Sequence, residues 1–323
     1  MIQLNSIGNR EKQKDISARI LSELQKYDFY FSTPILADAW EQTKKIAVKG
    51  KNIRSLLYLN LAQSDAKIEL AVAIELYQLA LLIHDDIMDD DNYRRGEKSV
   101  HAFLFSKMDE HDGVSMAICI GDILIFIANA LISEHYSHAH VISRKLIETG
   151  IGQSIDVSLT HSLPSVDLMK KMYIYKTATY TFEIPLCLAL GETENRTKIS
   201  HNLGILYQIT DDLLTIEHSL EETGKSQFND VSHSKPTYII CRLYEVSSDS
   251  DKIELVSFYK KTGHTFEEIV AIQQLLIKHD VVLSVREDIA QLAAQTKKLI
   301  EQEESLIQKH LLNVLEFIEK RSN

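Results

Sequence analysis

The feature of this sequence that most constrains its fold is a dense acidic cluster directly after an apolar run. The run AVAIELYQLALLI covers residues 71–83, and residues 84–96 read HDDIMDDDNYRRG, with five aspartates within seven residues. Carboxylates this close repel one another unless a positive charge neutralises them. Mg²⁺ is suited to this because one or two carboxylates often hold it together with substrate phosphates. Arg94 and Arg95 add planar donor groups that suit phosphate. The segment predicts a diphosphate site built from metal and guanidinium.

Helical periodicity is nearly continuous along the chain. The 323 residues include only 4 prolines and 11 glycines, so few residues interrupt regular structure. No strand-like alternation persists and no repeat of fixed period appears. We expect an all-α protein of roughly ten or more helices, folded as a single domain over residues 1–323. The predicted helices are 13–28, 35–48, 53–62, 65–89, 114–133, 136–160, 165–189, 195–219, 234–245, 251–261, 265–279 and 281–319, with a loop at residues 92–97.

Composition narrows the classes of function. A net charge of -11 argues against a general nucleic-acid binder, which needs a basic face. It does not exclude a phosphorylated substrate, because a metal and a few cations reverse the local potential.

Isolated Cys119, Cys187 and Cys241 indicate buried structural thiols in a reducing, cytoplasmic compartment. The N-terminus lacks the apolar segment of a signal peptide, and residues 116–132 are predicted to form a buried core helix rather than a membrane span.

A second acidic pair occurs in YQITDDLLT, residues 207–215. In the first cluster Asp85 and Asp89 are four residues apart and share a helix face. In the second, the equivalent position is Thr215, which carries no charge. We therefore expect Asp211 to be the stronger metal ligand of this pair, and Asp212 to act through water or to orient a partner.

Several cations accompany these acidic elements. Each alone is typical of a solvated surface charge, but each lies beside a Gly, Thr or Pro in a loop or helix end. Their grouping favours anion binding. They are Lys51 and Arg54 after Gly50, Lys176 before Thr177, Lys225 after Gly224, and Lys235 before Pro236.

Together these segments resemble the trans-type polyprenyl synthetases, the isoprenyl diphosphate synthases, over roughly residues 45–240. GKNIRS resembles that family's isopentenyl-diphosphate loop, and HDDIMDDDNYRRG its first aspartate-rich motif. GDILI, GQSID, YKTATY, YQITDD and GKSQFND follow in the family's order. The resemblance implies a single isoprenoid synthase helical bundle around a central cavity, and a homodimer.

The resemblance also implies a reaction. An allylic diphosphate loses pyrophosphate to give a carbocation, and the double bond of isopentenyl diphosphate attacks it. A proton is then lost, with the departing pyrophosphate as its acceptor. Leaving-group stabilisation by Mg²⁺ as a Lewis acid, with three ions per active site, is the main chemical requirement.

The resemblance assigns roles to individual residues. The implied Mg²⁺ ligands are Asp85, Asp89 and Asp211, with support from Asp86, Asp212 and Asp230. The implied contacts to the allylic diphosphate are Arg94, Lys176, Lys225 and Lys235. The implied contacts to isopentenyl diphosphate are Lys51, Arg54, Gln78 and Arg95. The residues implied to face the carbocation are Lys176, Thr177 and Gln208. We expect His84 to be a local hydrogen-bond partner rather than a metal ligand.

The sequence departs from the family at several positions. The second motif is DDLLT, where a third Asp is usual. Asn52 and Gln78 stand where Arg and His are common, and Phe228 and Ser234 stand where Gly is usual. These changes leave open a weakly active or non-catalytic subunit of a heteromeric prenyl synthase. A class I terpene cyclase is a further alternative, although it does not need cations for a second diphosphate.

The helix that carries Asp85 also predicts product length. One helical turn rises about 5.4 Å, similar to one isoprene unit, so side chains one and two turns before Asp85 act as a ruler. In the family that the chain resembles, an aromatic residue at the position of Ala80 or Leu81 gives a short product. Ala80 leaves the channel open there, and we expect Tyr77 to close it one turn deeper. We predict a product of C20–C25.

Overall fold

The computed structural model describes residues 10–217 and 229–320, and nearly all of them are helical. The helices of the first half are α1 (Arg10–Gln25), α2 (Pro34–Val48), α3 (Ile53–Ala62), α4 (Ile68–Met88), α5 (Val100–Leu104), α6 (Glu110–His135) and α7 (Ala139–Ser158). Those of the second half are α8 (Val166–Tyr173), α9 (Ile184–Leu190), α10 (Glu194–Glu217), α11 (Asn229–Ser232), α12 (Tyr238–Val246), α13 (Asp249–Tyr259), α14 (Phe266–Lys278), α15 (Val281–Ile300) and α16 (Ser305–Glu319). A π-helical segment, Ile174–Glu183, joins α8 to α9, and 3₁₀ turns lie at Asp28–Tyr30 and Gln63–Asp65. The all-α prediction is confirmed.

Internal contacts divide the described residues into two compact units. The first unit contains residues 10–143 and Pro185–Gly191, and the second contains Arg144–Ile184, 192–217 and 229–320. The first aspartate cluster therefore belongs to the first unit, and the Asp211–Asp212 pair belongs to the second. That the whole chain is one domain stays a prediction.

The core of the first unit is formed by α4 and α6, which pack along each other. Helix α4 is apolar around most of its circumference, and Leu76 and Ala80 are fully buried. Ile120 and Leu124 of α6 are fully buried as well. A helix that is apolar on nearly all sides must be enclosed by other elements. The core thus holds rigidly the helix whose last turn carries Asp85.

Helix α6 has the length and apolar character of a membrane span, but so does the core helix of many proteins. Its most apolar part is 44% buried. Such a helix is weak evidence for a membrane segment, and the burial of Ile120 and Leu124 agrees with the predicted core role.

In the second unit, α10 packs along the π-helical segment. A Cβ atom on Gly204 of α10 would lie 2.1 Å from the Cβ of Ala178, so only glycine permits this approach. A Cβ atom on Gly152 of α7 would likewise lie 2.2 Å from the backbone nitrogen of Lys176. π-Helical turns are rare and occur frequently at functional sites. Two glycines therefore bring neighbouring helices onto the irregular turn that carries Lys176 and Thr177.

Some sequence-based expectations were wrong in detail. Residues 92–97 were predicted as a loop, but Tyr93–Arg94 (β1) and Glu97–Lys98 (β2) form an antiparallel hairpin. Its two turn residues, Arg95 and Gly96, both have positive φ, as a type I′ turn requires. The range 281–319 is two helices rather than one, and 165–189 contains the π-helical segment. Helix α5 was not predicted, and Cys119 is exposed rather than buried.

Replacing Gly204 with Ala tests the close contact between α10 and the π-helical segment. We expect Gly204→Ala to lower the free energy of unfolding by about 1–3 kcal/mol, because the added methyl group overpacks against Ala178. Gly150→Ala is the matched control, since no atom lies within 4 Å of its added Cβ. That control should raise stability by roughly 0.5–1 kcal/mol. Urea denaturation measures both, and a Gly204→Ala protein as stable as the wild type contradicts the packing.

Candidate active site

Asp85 and Asp89 lie at the C-terminal end of α4. Asp85 is half-buried, Asp89 is the exposed C-cap residue, and the backbone N–H of Asp89 donates to the carbonyl oxygen of Asp85 at 2.9 Å. The end of a helix carries partial negative charge, so two carboxylates there attract a cation. Among the described residues no group of three His, Cys, Asp or Glu side chains is placed to hold a metal. Two carboxylate donors completed by phosphate oxygens and water still fit Mg²⁺.

Asp86 is buried and bound to Arg94. The Arg94 Nε donates to Asp86 Oδ1 at 2.6 Å, and Arg94 Nη2 lies 3.1 Å from Asp91 Oδ2. Burial raises the pKa of Asp86 to about 7, although Arg94 opposes the shift. The carboxylate of Asp86 therefore faces the guanidinium, which agrees with a supporting rather than a ligating role. Whether Arg94 also binds a diphosphate stays a prediction.

The β1–β2 hairpin places Arg95 against the end of α2. Its Nη1 donates to the carbonyl oxygens of Ile46 and Ala47 at 3.0 and 3.3 Å. Burial lowers the pKa of Arg95. A cation at a helix C-terminus is stabilised by the helix dipole. A Cβ atom on Gly50 would lie 2.7 Å from this same Nη1, so a larger residue there would push the guanidinium aside. Arg95 is thus brought to the loop that carries Lys51.

Asn52 explains one departure from the family pattern. It has a φ of 53°, a left-handed conformation that Asn tolerates better than most residues. Its side-chain amide donates to Ser17 Oγ at 3.0 Å and to the carbonyl oxygen of Gln13 at 3.3 Å. Asn52 therefore ties the loop to α1. Lys51 beside it is exposed, and Arg54 lies in the first turn of α3, where helix N–H groups favour an anion.

Gln78 and Tyr77 of α4 are both buried. Gln78 is 6% exposed, and its amide oxygen has no hydrogen-bond partner among the described residues. A buried polar group without a partner calls for a ligand or water. Tyr77 is buried, and its hydroxyl donates to Asn129 Oδ1 of α6 at 2.8 Å. Ala80 is fully buried and Leu81 is half-buried.

In the second unit, Asp156 brings together two lysines that the sequence predicted as diphosphate contacts. Its Oδ2 lies 2.6 Å from Lys176 Nζ and 3.1 Å from Lys235 Nζ. The Asp156 carboxylate is buried, whereas each lysine side chain is 22% exposed. Two ammonium groups this close repel each other, and one carboxylate offsets that repulsion. Asp156 thus holds the two ammonium groups close to each other. Sequence reasoning noted the GQSID motif but assigned no role to Asp156.

Thr177 and Gln208 also come together as predicted. The Thr177 hydroxyl donates to Gln208 Oε1 at 3.2 Å. Asp211 is half-buried one turn after Gln208 on α10. Helix α10 continues at least to Glu217, so the second acidic pair lies within a helix rather than at its end.

Asp212 is buried in a polar network. Tyr173 donates its hydroxyl to Asp212 Oδ2 at 2.5 Å, and the backbone N–H of Tyr238 donates to the same oxygen at 3.0 Å. Burial holds the pKa of Asp212 well above its usual range, and the charge of Asp230 adds to the shift. The Thr215 hydroxyl donates to the carbonyl oxygen of Asp212 at 2.7 Å, so the residue in place of the third Asp is engaged by its own helix.

Three further predicted positions are Lys225, Phe228 and His84. Lys225 and Phe228 lie outside the described residues. His84 Nε2 lies 3.3 Å from the carbonyl oxygen of Ile118, and its ring packs against Gly121. The local hydrogen-bonding role expected for His84 agrees with this contact.

Replacing Tyr173 tests the network around Asp212. We expect Tyr173→Phe to lower the free energy of unfolding by about 1–3 kcal/mol, because a buried carboxyl group loses a donor. Tyr175→Phe is the control, since that ring contacts the Lys171 ammonium group rather than a buried carboxyl group. Denaturant unfolding measures the free energy of unfolding of both variants. Equal values for the two variants contradict a stabilising bond from Tyr173 to Asp212.

Comparison with known proteins identifies the family. The model of the polyprenyl synthetase family matches residues 36–276. The short chain isoprenyl diphosphate synthase of Methanothermobacter thermautotrophicus is 32% identical over 250 residues, which cover 70% of this chain and 72% of that protein. The farnesyl diphosphate synthase of Micrococcus luteus is 29% identical over 216 residues, 60% of this chain and 72% of that protein.

Solved structures show the same fold. A geranylgeranyl pyrophosphate synthase from Corynebacterium glutamicum, complexed with isoprenyl diphosphate and magnesium, matches with a TM-score of 0.84 at 22% identity. The match covers 96% of this chain and 98% of that one. An octaprenyl pyrophosphate synthase from Helicobacter pylori matches with a TM-score of 0.76 at 22% identity, covering 96% of this chain and 100% of that one.

Proposed function

This chain belongs to the polyprenyl synthetase family, and on that premise we propose that it joins isopentenyl diphosphate to an allylic diphosphate with Mg²⁺. It is a prenyltransferase of the chain-elongating kind, as its curated relatives are named. The observation that carries the specific proposal is the convergence of Lys176 and Lys235 on Asp156. Two ammonium groups held at one point attract a diphosphate strongly, because opposite charges interact strongly at short range.

Different residues bind the two diphosphates in this proposal. Lys176 and Lys235 bind the allylic diphosphate, and Asp156 keeps both ammonium groups together before the substrate arrives. Lys51, Arg54, Gln78 and Arg95 bind isopentenyl diphosphate at the loop before α3. Thr177 and Gln208, joined by their hydrogen bond, present oxygen atoms that favour developing positive charge on the allylic carbon.

Magnesium fits the acidic residues present. Asp85 and Asp89 offer hard oxygen donors at the end of α4, and Asp211 offers another on α10. When bound, Mg²⁺ supplies Lewis-acid stabilisation of the departing pyrophosphate, with three ions per active site proposed. Asp86 orients Arg94, while Asp212 is held by Tyr173. Magnesium in the Corynebacterium glutamicum structure supports the proposal.

Replacing Asp85 tests the metal assignment. We expect Asp85→Asn to lower kcat at least about 100-fold at fixed Mg²⁺, because removal of a ligand weakens charge stabilisation in the transition state. Asp90→Asn is the control, since Asp90 is exposed and Asn tolerates its φ of 54°. Steady-state release of pyrophosphate measures both variants. Equal loss in the two variants contradicts a specific role for Asp85.

Product length follows from the side chains on α4. Ala80, about one turn before Asp85, has a small side chain, and the Tyr77 ring is one turn deeper. The Tyr77 hydroxyl donates to Asn129 Oδ1, which ties the ring to α6. A product of C20–C25 follows, because each turn of helix equals about one isoprene unit.

Replacing Tyr77 with Ala tests whether the Tyr77 ring limits product length. We expect Tyr77→Ala to yield products at least one isoprene unit longer than wild type, because the ring no longer blocks growth. Tyr77→Phe keeps the ring and loses only the bond to Asn129, so its product length should stay at the wild-type value. Mass spectrometry of the dephosphorylated products measures the product length of both variants. If Tyr77→Ala gives the same product lengths as wild type, the Tyr77 ring does not limit chain growth.

We also propose a homodimer in a reducing, cytoplasmic compartment. Helix α6 exposes Ile118 and Phe126, the latter 68% exposed, on a face that its own unit leaves uncovered. Apolar residues exposed on one face favour association with another chain. Cys119, Cys187 and Cys241 are all free thiols, which suits a reducing compartment.

A charge on α6 tests the dimer. We expect Phe126→Asp to shift the mass in solution from twice 36.8 kDa to the monomer value, because the interface cannot bury an unpaired carboxylate. Phe266→Asp is the matched control, since Phe266 is a similarly exposed aromatic in α14. Light scattering distinguishes the two. A dimeric Phe126→Asp protein contradicts this interface.

A further inference from the structure

Next to Lys235 lies a buried serine–histidine contact that the proposed function does not use. Ser234 Oγ is 2.6 Å from Nε2 of His264 and 3.1 Å from the carbonyl oxygen of Lys261. A hydroxyl has one proton to donate and lone pairs to accept. Both contacts are satisfied when Oγ donates to the carbonyl oxygen and accepts from the Nε2 N–H. We call Ser234 and His264 together the latch.

Ser234 holds a backbone conformation that serine rarely adopts. Its φ is 53°, in the left-handed region that favours glycine. Its N–H donates to the carbonyl oxygen of Val231 at 3.0 Å, and its own carbonyl oxygen accepts from the N–H of His161 at 3.0 Å. The side chain is fully buried. An unfavourable backbone conformation persists only where surrounding contacts over-determine it, and the latch is one of those contacts.

His264 is a rigid anchor for this contact. Its imidazole is fully buried and stacks on Phe258, with ring centroids 3.7 Å apart and an interplanar angle of 8°. Gly263 before it turns the chain with a φ of 77°. Thr265 after it opens α14 through a capping box with Glu268. The histidine is therefore fixed on both sides along the chain and on the face of its ring.

The latch bears directly on Lys235 because Ser234 precedes it in the chain. The Lys235 N–H donates to the carbonyl oxygen of Asp230 at 2.8 Å, and its Nζ reaches Asp156 at 3.1 Å. A lysine side chain is flexible, so the position of its ammonium group depends on where its backbone is held. A shift of about 1 Å at a binding group is enough to weaken function strongly.

We propose that Ser234 and His264 are positioning residues that hold Lys235 in place for the diphosphate of the allylic substrate. Neither side chain touches the substrate. The inference rests on the proposed function of Lys235, but the latch itself is a feature of the described contacts. It accounts for a serine at a position where the family pattern has glycine, because the serine hydroxyl supplies a bond that glycine lacks.

The test is a pair of variants with a matched control. His264→Phe keeps a ring to stack on Phe258 but removes the N–H, and Ser234→Ala removes the hydroxyl. The control is His279→Phe, because His279 is also a largely buried histidine, bound to Asp251 at 2.8 Å at the other end of α14. His264→Phe and His279→Phe each remove one hydrogen-bonding contact, Ser234→Ala removes two, and thermal unfolding measures these losses.

We expect both latch variants to raise KM for the allylic diphosphate about ten-fold while kcat and KM for isopentenyl diphosphate stay within about two-fold. The control should leave both KM values unchanged despite a lowered Tm. Unchanged KM values in the latch variants overturn the proposal. So does an equal rise in both KM values, which indicates general destabilisation.

Calorimetric binding of inorganic pyrophosphate with Mg²⁺ separates this inference from the proposed reaction. If the wild type forms no prenyl product but binds pyrophosphate, the proposed function fails while the latch is still tested. The latch variants should then bind pyrophosphate about ten-fold more weakly than wild type. Wild-type affinity in both variants, or no pyrophosphate binding by the wild type, overturns the inference.

Discussion

The pairing of Asp156 with two lysines is the interaction on which the second unit is organised. Lys176 lies on the π-helical segment and Lys235 in the loop before α12, yet one carboxylate oxygen reaches both ammonium groups. This requires α7 to lie directly against the π-helical segment, which Gly152 permits because it lacks a Cβ atom. The ion pairs of Asp156 with the two lysines therefore depend on the close packing of α7 against the π-helical segment. Without the carboxylate, two neighbouring cations would repel each other before any anion arrived.

The same principle applies in the first unit with the signs reversed. Five aspartates lie in the last turn of α4 and directly after it, and Arg94 pairs with the buried one, Asp86. Asp85 is half-buried and Asp89 is exposed, and in the proposed reaction both attract Mg²⁺. Burying a charge is costly unless it is paired, and the buried Asp86 is paired with Arg94.

The sequence was sufficient to predict the helical class, whereas the roles of the site residues stay predictions. Helix α3 was predicted with its observed bounds, because its apolar periodicity is clear. The family resemblance placed Thr177 and Gln208 at the same part of the site, and the structure adds the hydrogen bond between them. The β1–β2 hairpin was missed because two-residue strands carry too few residues for alternation to show. The role of Asp156 was missed because its lysine partners are distant in sequence. The latch could not be foreseen, since no pattern joins Ser234 to His264 before the chain is folded.

The measurement that tests the central claim most directly is product formation by the wild-type protein. Purified protein is incubated with Mg²⁺, isopentenyl diphosphate and, separately, C5, C10 and C15 allylic diphosphates, and the products are identified by mass spectrometry. The account predicts a ladder that ends at C20 or C25 and requires isopentenyl diphosphate. A hydrocarbon product formed without isopentenyl diphosphate would indicate a cyclase. No product from any primer would contradict catalysis by this chain alone and would favour a subunit of a heteromeric synthase.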